Sequence, residues 1–260
     1  AVHDMRVATR RMRAAIRLFG PFIASSLLEQ VTDDLRYLGR VLGNVRDLDV
    51  ALERLDTYGQ ELVPTAHTGL QPLKAHWQRR REYAHARMLR YLNSSRYQRL
   101  LKRMRTLLAT LSAEEMPAAG EQSVAQIASP FLYVRWQVVE AYGPVLDRAS
   151  IHLLHALRIE AKRLRYALEF LSEVLPKDIT RVIPDVIAVQ DHLGEMHDAV
   201  VAADMIEAAM EARKRVDPAI ESYRQHCLEL AQRYRQTFPV IWKRFHRKRH
   251  RRALKALKAL

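Results

Sequence analysis

Two stretches of this chain repeat one another, and the repeat restricts its fold more than any other feature. VHDMRVATRRMRAAIRLF, Val2 to Phe19, returns as LHALRIEAKRLRYALEFL, Leu154 to Leu171. His3, Arg6, Arg10, Arg11 and Arg13 match His155, Arg158, Lys162, Arg163 and Arg165 at a constant offset of 152 positions. A second pair follows in the same order. VLGNVRDLDVA, Val41 to Ala51, returns as HLGEMHDAVVA, His192 to Ala202, at an offset of 151. Two matched segments in one order indicate a duplicated unit. The expected division is a first half over residues 1–115 and a second over 116–260, the halves being related by a pseudo-twofold axis. The second half carries a helix near Phe131–Ala141 ahead of its His-bearing helix. The first half has no counterpart before Val2, so a leading helix is expected to be missing.

The repeated unit is helical. Gly and Pro are scarce, 8 and 10 in 260 residues, and period-2 alternation is nearly absent. The pattern predicts an all-α chain with helices at Val2–Phe19, Ser26–Tyr58, Leu70–Leu92, Ser95–Leu111, Phe131–Ala141, Ile151–Val174, Ile179–Glu211 and Pro218–Leu257. A break is expected in the last near Phe238 and Pro239. SAEEMPAAGEQSVAQIASP, Ser112 to Pro130, reads as a linker.

Each copy of the first motif is two-sided. At about 100° per residue, His3, Arg6, Arg10, Arg13 and Arg17 fall within roughly 80° of one another. Met5, Ala8, Met12, Ala15, Ile16 and Phe19 share another arc and are expected to face the core. In the copy, His155, Arg158, Lys162 and Arg165 share one arc, and Leu157, Leu164, Ala167, Leu168 and Leu171 another. Glu169 stands where Arg17 stood, so the second stripe is shorter. Like charges at i,i+3 and i,i+4 repel on an exposed helix, and the first stripe has no acid interleaved. A stripe of this kind repeated with its spacing intact points to an anionic partner.

Charge agrees. Lys and Arg number 43 against 29 Asp and Glu, a formal net charge of +14, which favours a polyanion or an acidic surface. Most of the cations are Arg, whose fork suits phosphate oxygens. A row of cations suits an extended anion better than a compact carboxylate. Nucleic acid and inorganic polyphosphate both qualify. Base readout or stacking calls for Asn, Gln or aromatic residues among the cations. The first stripe has none, and the second has Tyr166 only at its edge.

With these residues in hand, the chain resembles the CHAD domain family, the conserved histidine α-helical domains. The resemblance rests on the two motifs, each present twice, and runs from Val2 to about Trp242. It implies two four-helix bundles related by a pseudo-twofold, with a central basic cleft that binds inorganic polyphosphate without catalysis. It also implies that His3 and His155 are the family's histidines. Arg6, Arg10, Arg13, Arg17, Arg158, Lys162 and Arg165 would be its basic positions. The expected location is cytoplasmic, with association to polyphosphate granules. Family members are often joined to a CYTH phosphohydrolase domain, which is not visible here. An accessory role to such an enzyme is therefore one alternative, and a nucleic-acid-binding module is the other.

Several further residues bear on the site. Arg36 and Arg40 share a face of the second helix and are assigned to it. Asp47 and Asp198, at matched positions, either orient a cation of the site or make local turn bonds. Arg96, Arg99, Lys102 and Arg103 read as a solvated basic face, and Arg79–Arg81 spread around their helix. QDHLGEMHD, Gln190 to Asp198, has ligand residue types without the spacing of a closed metal site. No phosphate loop, zinc signature or hydrolytic triad order appears. No cofactor or metal is expected. The lone Cys227 reads as a buried thiol. No apolar run of about 18 residues appears, so no transmembrane helix is expected. The basic amphipathic tail, Trp242 to Leu260, is expected to dock as the last helix and then fray.

Overall fold

Leu-, Ala- and Arg-rich segments without β-branched runs favour helix over strand, and helix accounts for the regular structure. The computed structural model describes residues 1–23, 25–60, 64–113, 124–211 and 217–257. Its helices are α1 (Val2–Phe19), α2 (Leu27–Gln60), α3 (Pro64–Leu92), α4 (Ser95–Ala113), α5 (Val124–Glu140), α6 (Ile151–Phe170), α7 (Lys177–Thr180), α8 (Ile183–Glu211), α9 (Pro218–Phe245) and α10 (Lys248–Ala256). No strand occurs among the described residues, so the all-α expectation holds. None of the described helices is long and apolar enough to cross a membrane.

Proline accounts for most differences from the expected boundaries. α3 starts six residues before Leu70 and runs through Pro72, and α5 runs through Pro130. α9 runs unbroken through Pro239, so the expected break at Phe238 and Pro239 does not occur. All three rings sit on exposed positions. There the carbonyl that proline leaves without a partner can turn to water, while Leu73, Trp77, Phe238 and Trp242 nearby remain buried. The break comes instead at His246 and Arg247. Pro184 acts differently. It lies in the first turn of α8, where its missing N–H costs nothing, and the expected helix Ile179–Glu211 is divided into α7 and α8 ahead of it. The part of the expected linker from Val124 to Pro130 is helix. Its centre and the expected division at residue 115 lie outside the described residues.

The chain forms two compact units, Ala1–Pro117 with Asp204–Gln225, and Ala118–Ala203 with His226–Leu260. In the first, α2 is the central element and packs against α1, α3 and α4. Its Leu35, Leu42 and Val45 are fully buried, with Met88, Tyr91 and Leu100 against them. One acid is buried with them. Asp34 holds Arg103 at 2.6 Å and Arg96 at 3.7 Å, and Arg96 also lies over the Tyr37 ring at 3.8 Å. So Arg96 and Arg103, expected on a solvated face, are structural cations.

In the second unit α5 packs on α6, and α10 on α5 and α7. Ser150 caps α6 by accepting the Leu153 N–H at 3.2 Å, which sets its start where the sequence predicts. The buried Asp185 carboxylate holds Arg244 at 2.6 Å and Arg247 at 2.8 Å, with His250 at 3.4 Å. These contacts, with buried Leu254 and Leu257, dock the tail. Residues 258–260, where fraying is expected, lie outside the described residues. Cys227 is buried.

Truncating Leu42 to Ala should cost about 2–5 kcal/mol of stability, because the site is fully packed. Asp33→Ala, which breaks the exposed Asp33–Arg36 pair, should cost less than about 1 kcal/mol. Urea unfolding followed by circular dichroism checks both.

Candidate functional site

The cationic stripe of α1 is held outward by what its opposite face buries. Val2, Met5, Met12 and Ile16 pack on the core around α2, and Thr9 and Leu18 are buried outright. Ala8, expected in the core, is exposed. The buried face is thus rotated towards the cations relative to the apolar pattern. Thr9 can sit there because its hydroxyl donates to the Met5 carbonyl at 2.7 Å, satisfying its one polar group.

On the other side, His3, Arg10 and Arg17 are exposed, and Arg6 and Arg13 are half-buried. The half-buried pair lies where α1 meets α2. Arg6 Nη1 donates to Asp47 Oδ1 at 2.6 Å, so Asp47 orients a stripe cation and is no local cap. A Cβ placed on Gly39 would stand 3.5 Å from Arg13 Nη1 and 3.8 Å from Thr9 Cγ2. The two helices are therefore in contact there, with the Arg13 head along α2. Arg36, Arg40, Gly43 and Asp47 fall within about 60° of one another on α2. Arg36 is exposed and paired with Asp33 at 2.6 Å. Arg40 is exposed, its guanidinium carbon 5.7 Å from the Tyr37 ring centre.

The α6 stripe is set deeper. His155, Arg158, Lys162 and Arg165 are all half-buried, above a buried face of Leu154, Leu157, Ala161, Leu164 and Leu168. Arg165 Nε donates to Glu169 Oε1 at 2.6 Å, so the acid that replaces Arg17 also takes up one cation of this stripe. Arg163 pairs with Glu160 on the same helix. A Cβ on Gly194 of α8 would lie 3.6 Å from Arg158 Nε. The Arg158 side chain therefore lies along α8 at the position that matches Gly43.

His155 has a partner the sequence did not single out. Its Nδ1 lies 3.1 Å from Nδ1 of His197, with ring centres 4.1 Å apart. One of the two nitrogens must carry the proton and the other accept it. Burial holds the His155 pKa below the usual histidine value, and Arg158, Lys162 and His152 push it the same way. The free protein therefore favours neutral His155. The repeat places His197 opposite Arg46 of the first motif, so it points only to the neighbourhood. The Arg6–Asp47 contact maps onto Arg158 and Asp198, and His197 adjoins Asp198.

The other histidine of that segment, His192, has its Nε2 2.8 Å from the Tyr234 carbonyl, as a structural donor would. Among the described residues, no group of three or more His, Cys, Asp and Glu side chains is placed to hold a metal ion.

The comparisons with known proteins agree with the fold. The CHAD domain profile matches residues 1–207. An uncharacterized protein of Mycobacterium tuberculosis, in two strains, is 31% identical over 220 residues. That alignment covers 82% of this chain and 41% of the relative, so the chain spans about two-fifths of that protein's length. The crystal structure of the CHAD domain from the plant Ricinus communis superposes with a TM-score of 0.72 at 25% identity, covering 94% of this chain and 81% of that one. PptA from Streptomyces chartreusis has the same fold, with a TM-score of 0.73 at 18% identity over 93% and 89% of the two chains. With its repeated motifs, its helical fold and this match over most of its length, the chain belongs to the CHAD domain family.

Proposed function

We propose that this chain is a non-catalytic module that binds inorganic polyphosphate through the cationic faces of α1 and α6. Arg36 and Arg40 of α2 widen the first face. The observation that carries the reading is the α1 stripe, which is held away from the core with His3, Arg10 and Arg17 exposed. Charge-assisted bonds from Arg, Lys and protonated His to phosphate oxygens would supply the affinity. Neither stripe offers base-reading groups, which favours a bare phosphate chain over nucleic acid. On this reading the module works where polyphosphate accumulates, in cytoplasmic granules.

His155 gives the reading a pH signature. Its folded-state pKa is lowered, so its neutral form stabilises the free protein. That contribution is complete above about pH 6.5 and is lost as pH falls through the folded value. A bound polyanion favours the protonated form and reverses the shift. Binding should therefore take up protons and strengthen as pH falls through the histidine range. NMR titration of the His155 ring checks this. The midpoint should lie below 6.5 without ligand and rise when polyphosphate is added.

The direct experiment is a titration with long-chain polyphosphate, beside a variant with Arg6, Arg10, Arg158 and Lys162 changed to Ala. The wild-type chain should bind, and the folded variant should lose most of the affinity. Affinity should fall about 1,000-fold between about 50 and 200 mM salt, by analogy with counterion release from nucleic acid. Incubation with polyphosphate and magnesium should release no orthophosphate. Equal binding by both proteins, or a salt-independent dissociation constant, would count against the proposal.

A further inference from the structure

The cations of α3 divide into two sets on opposite flanks of its buried stripe of Leu73, Trp77 and Met88. On one flank Lys74 is neutralised by Asp56 at 2.6 Å, and Arg81 by Asp49 at 2.5 Å. On the other, Arg79, Arg80 and Arg87 are exposed, and no acid pairs with them among the described residues. They share an arc of about 100° with His76 and Tyr83. This arc borders an open groove of about 690 Å³ between α3 and α2, with Met205 of α8 also in its wall. The lining includes Asn44 and Asp47 of α2 with Arg79, Arg80, Tyr83 and Arg87 of α3.

A bare phosphate chain uses only part of this lining. It offers acceptors alone, so the Asp47 carboxylate repels it, and it gains nothing from an aromatic face. Tyr83 is 66% exposed and has no ring partner among the described residues, so its face is open to a ligand. Asp47 is 56% exposed and gives Oδ1 to Arg6, so its other oxygen can accept from a ligand donor. A nucleotide uses every part. Its base has a π face for Tyr83, its phosphates suit the three guanidiniums, and its hydroxyl or amine donors suit Asp47 and Asn44. The groove's size suits one nucleotide better than a strand.

We infer that the α2–α3 groove is a nucleoside polyphosphate site, with Tyr83 stacking on the base and Arg79, Arg80 and Arg87 holding the phosphates. It meets the α1 stripe at Asp47, which lines the groove and pairs with Arg6.

The test is equilibrium dialysis of the full chain against ATP, with EDTA present, beside tripolyphosphate and a single-stranded oligonucleotide. Tyr83→Ala removes an exposed ring and should leave the fold intact. It should weaken ATP about 10-fold and leave tripolyphosphate and long-chain polyphosphate unchanged. Changing Arg79, Arg80 and Arg87 to Ala should weaken both ATP and tripolyphosphate. ATP binding no tighter than tripolyphosphate and indifferent to Tyr83→Ala would overturn the inference, whether or not long-chain polyphosphate binds. Displacement of ATP by the oligonucleotide at equal nucleotide concentration would overturn it in favour of a strand-binding groove.

Discussion

The repulsion within the α1 stripe must be offset by what the rest of that helix buries. Four arginines on one arc repel one another at i,i+3 and i,i+4 spacing, so α1 would be a poor helix alone. Its other face supplies the compensation. Val2, Met5, Met12 and Ile16 pack onto the α2 core, with Thr9 and Leu18 fully enclosed. Two of the cations also contribute at the interface. Arg6 bonds to Asp47, and Arg13 lies against the α2 backbone at Gly39. His3, Arg10 and Arg17 remain exposed on the same arc. In the second unit Asp185 has the complementary role, gathering Arg244, Arg247 and His250 around one buried carboxylate. Basic residues in this chain therefore divide into those spent on structure and those left at a surface.

The two repeated stripes have diverged in depth. The α1 cations are partly exposed, and His3 stands in solvent at the helix start. Those of α6 are half-buried, one is taken by Glu169, and burial lowers the pKa of His155 beside His197. Burial makes each α6 cation more effective towards an anion once water is displaced, and more costly to leave uncompensated. On the proposed reading, the exposed first stripe would meet the polyanion and the half-buried second would hold it with a dependence on pH.

Helix type, the two motifs and the cationic arcs were legible in the sequence because they depend on a 3.6-residue period and a constant offset. Boundaries were less legible where proline lies inside a helix. Whether Pro72, Pro130 and Pro239 end a helix depends on which side faces water, and only tertiary packing decides that. The core face of α1 was misplaced by about 50°, half of one residue's step, for a similar reason. Thr9 reads as polar, yet its hydroxyl is satisfied by its own helix, while Ala8 has nothing to pack against. Long-range pairs such as Arg103–Asp34 and His155–His197 have no local signature. The groove beside Arg79 and Arg80 was missed because the triplet, read as spread around its helix, was judged without the His76 and Tyr83 that share the face of two of its members.

The central claim is that polyphosphate is held by placed cations and not by the net charge of +14. The most direct measurement compares two variants of equal charge in the same polyphosphate titration. One loses Arg6, Arg10, Arg158 and Lys162; the other loses Arg90, Arg105, Arg249 and Arg252, which are exposed elsewhere. Placed cations predict that the first variant loses most of its affinity and the second stays close to wild type. Equal losses in the two would contradict the account and leave diffuse attraction as the explanation.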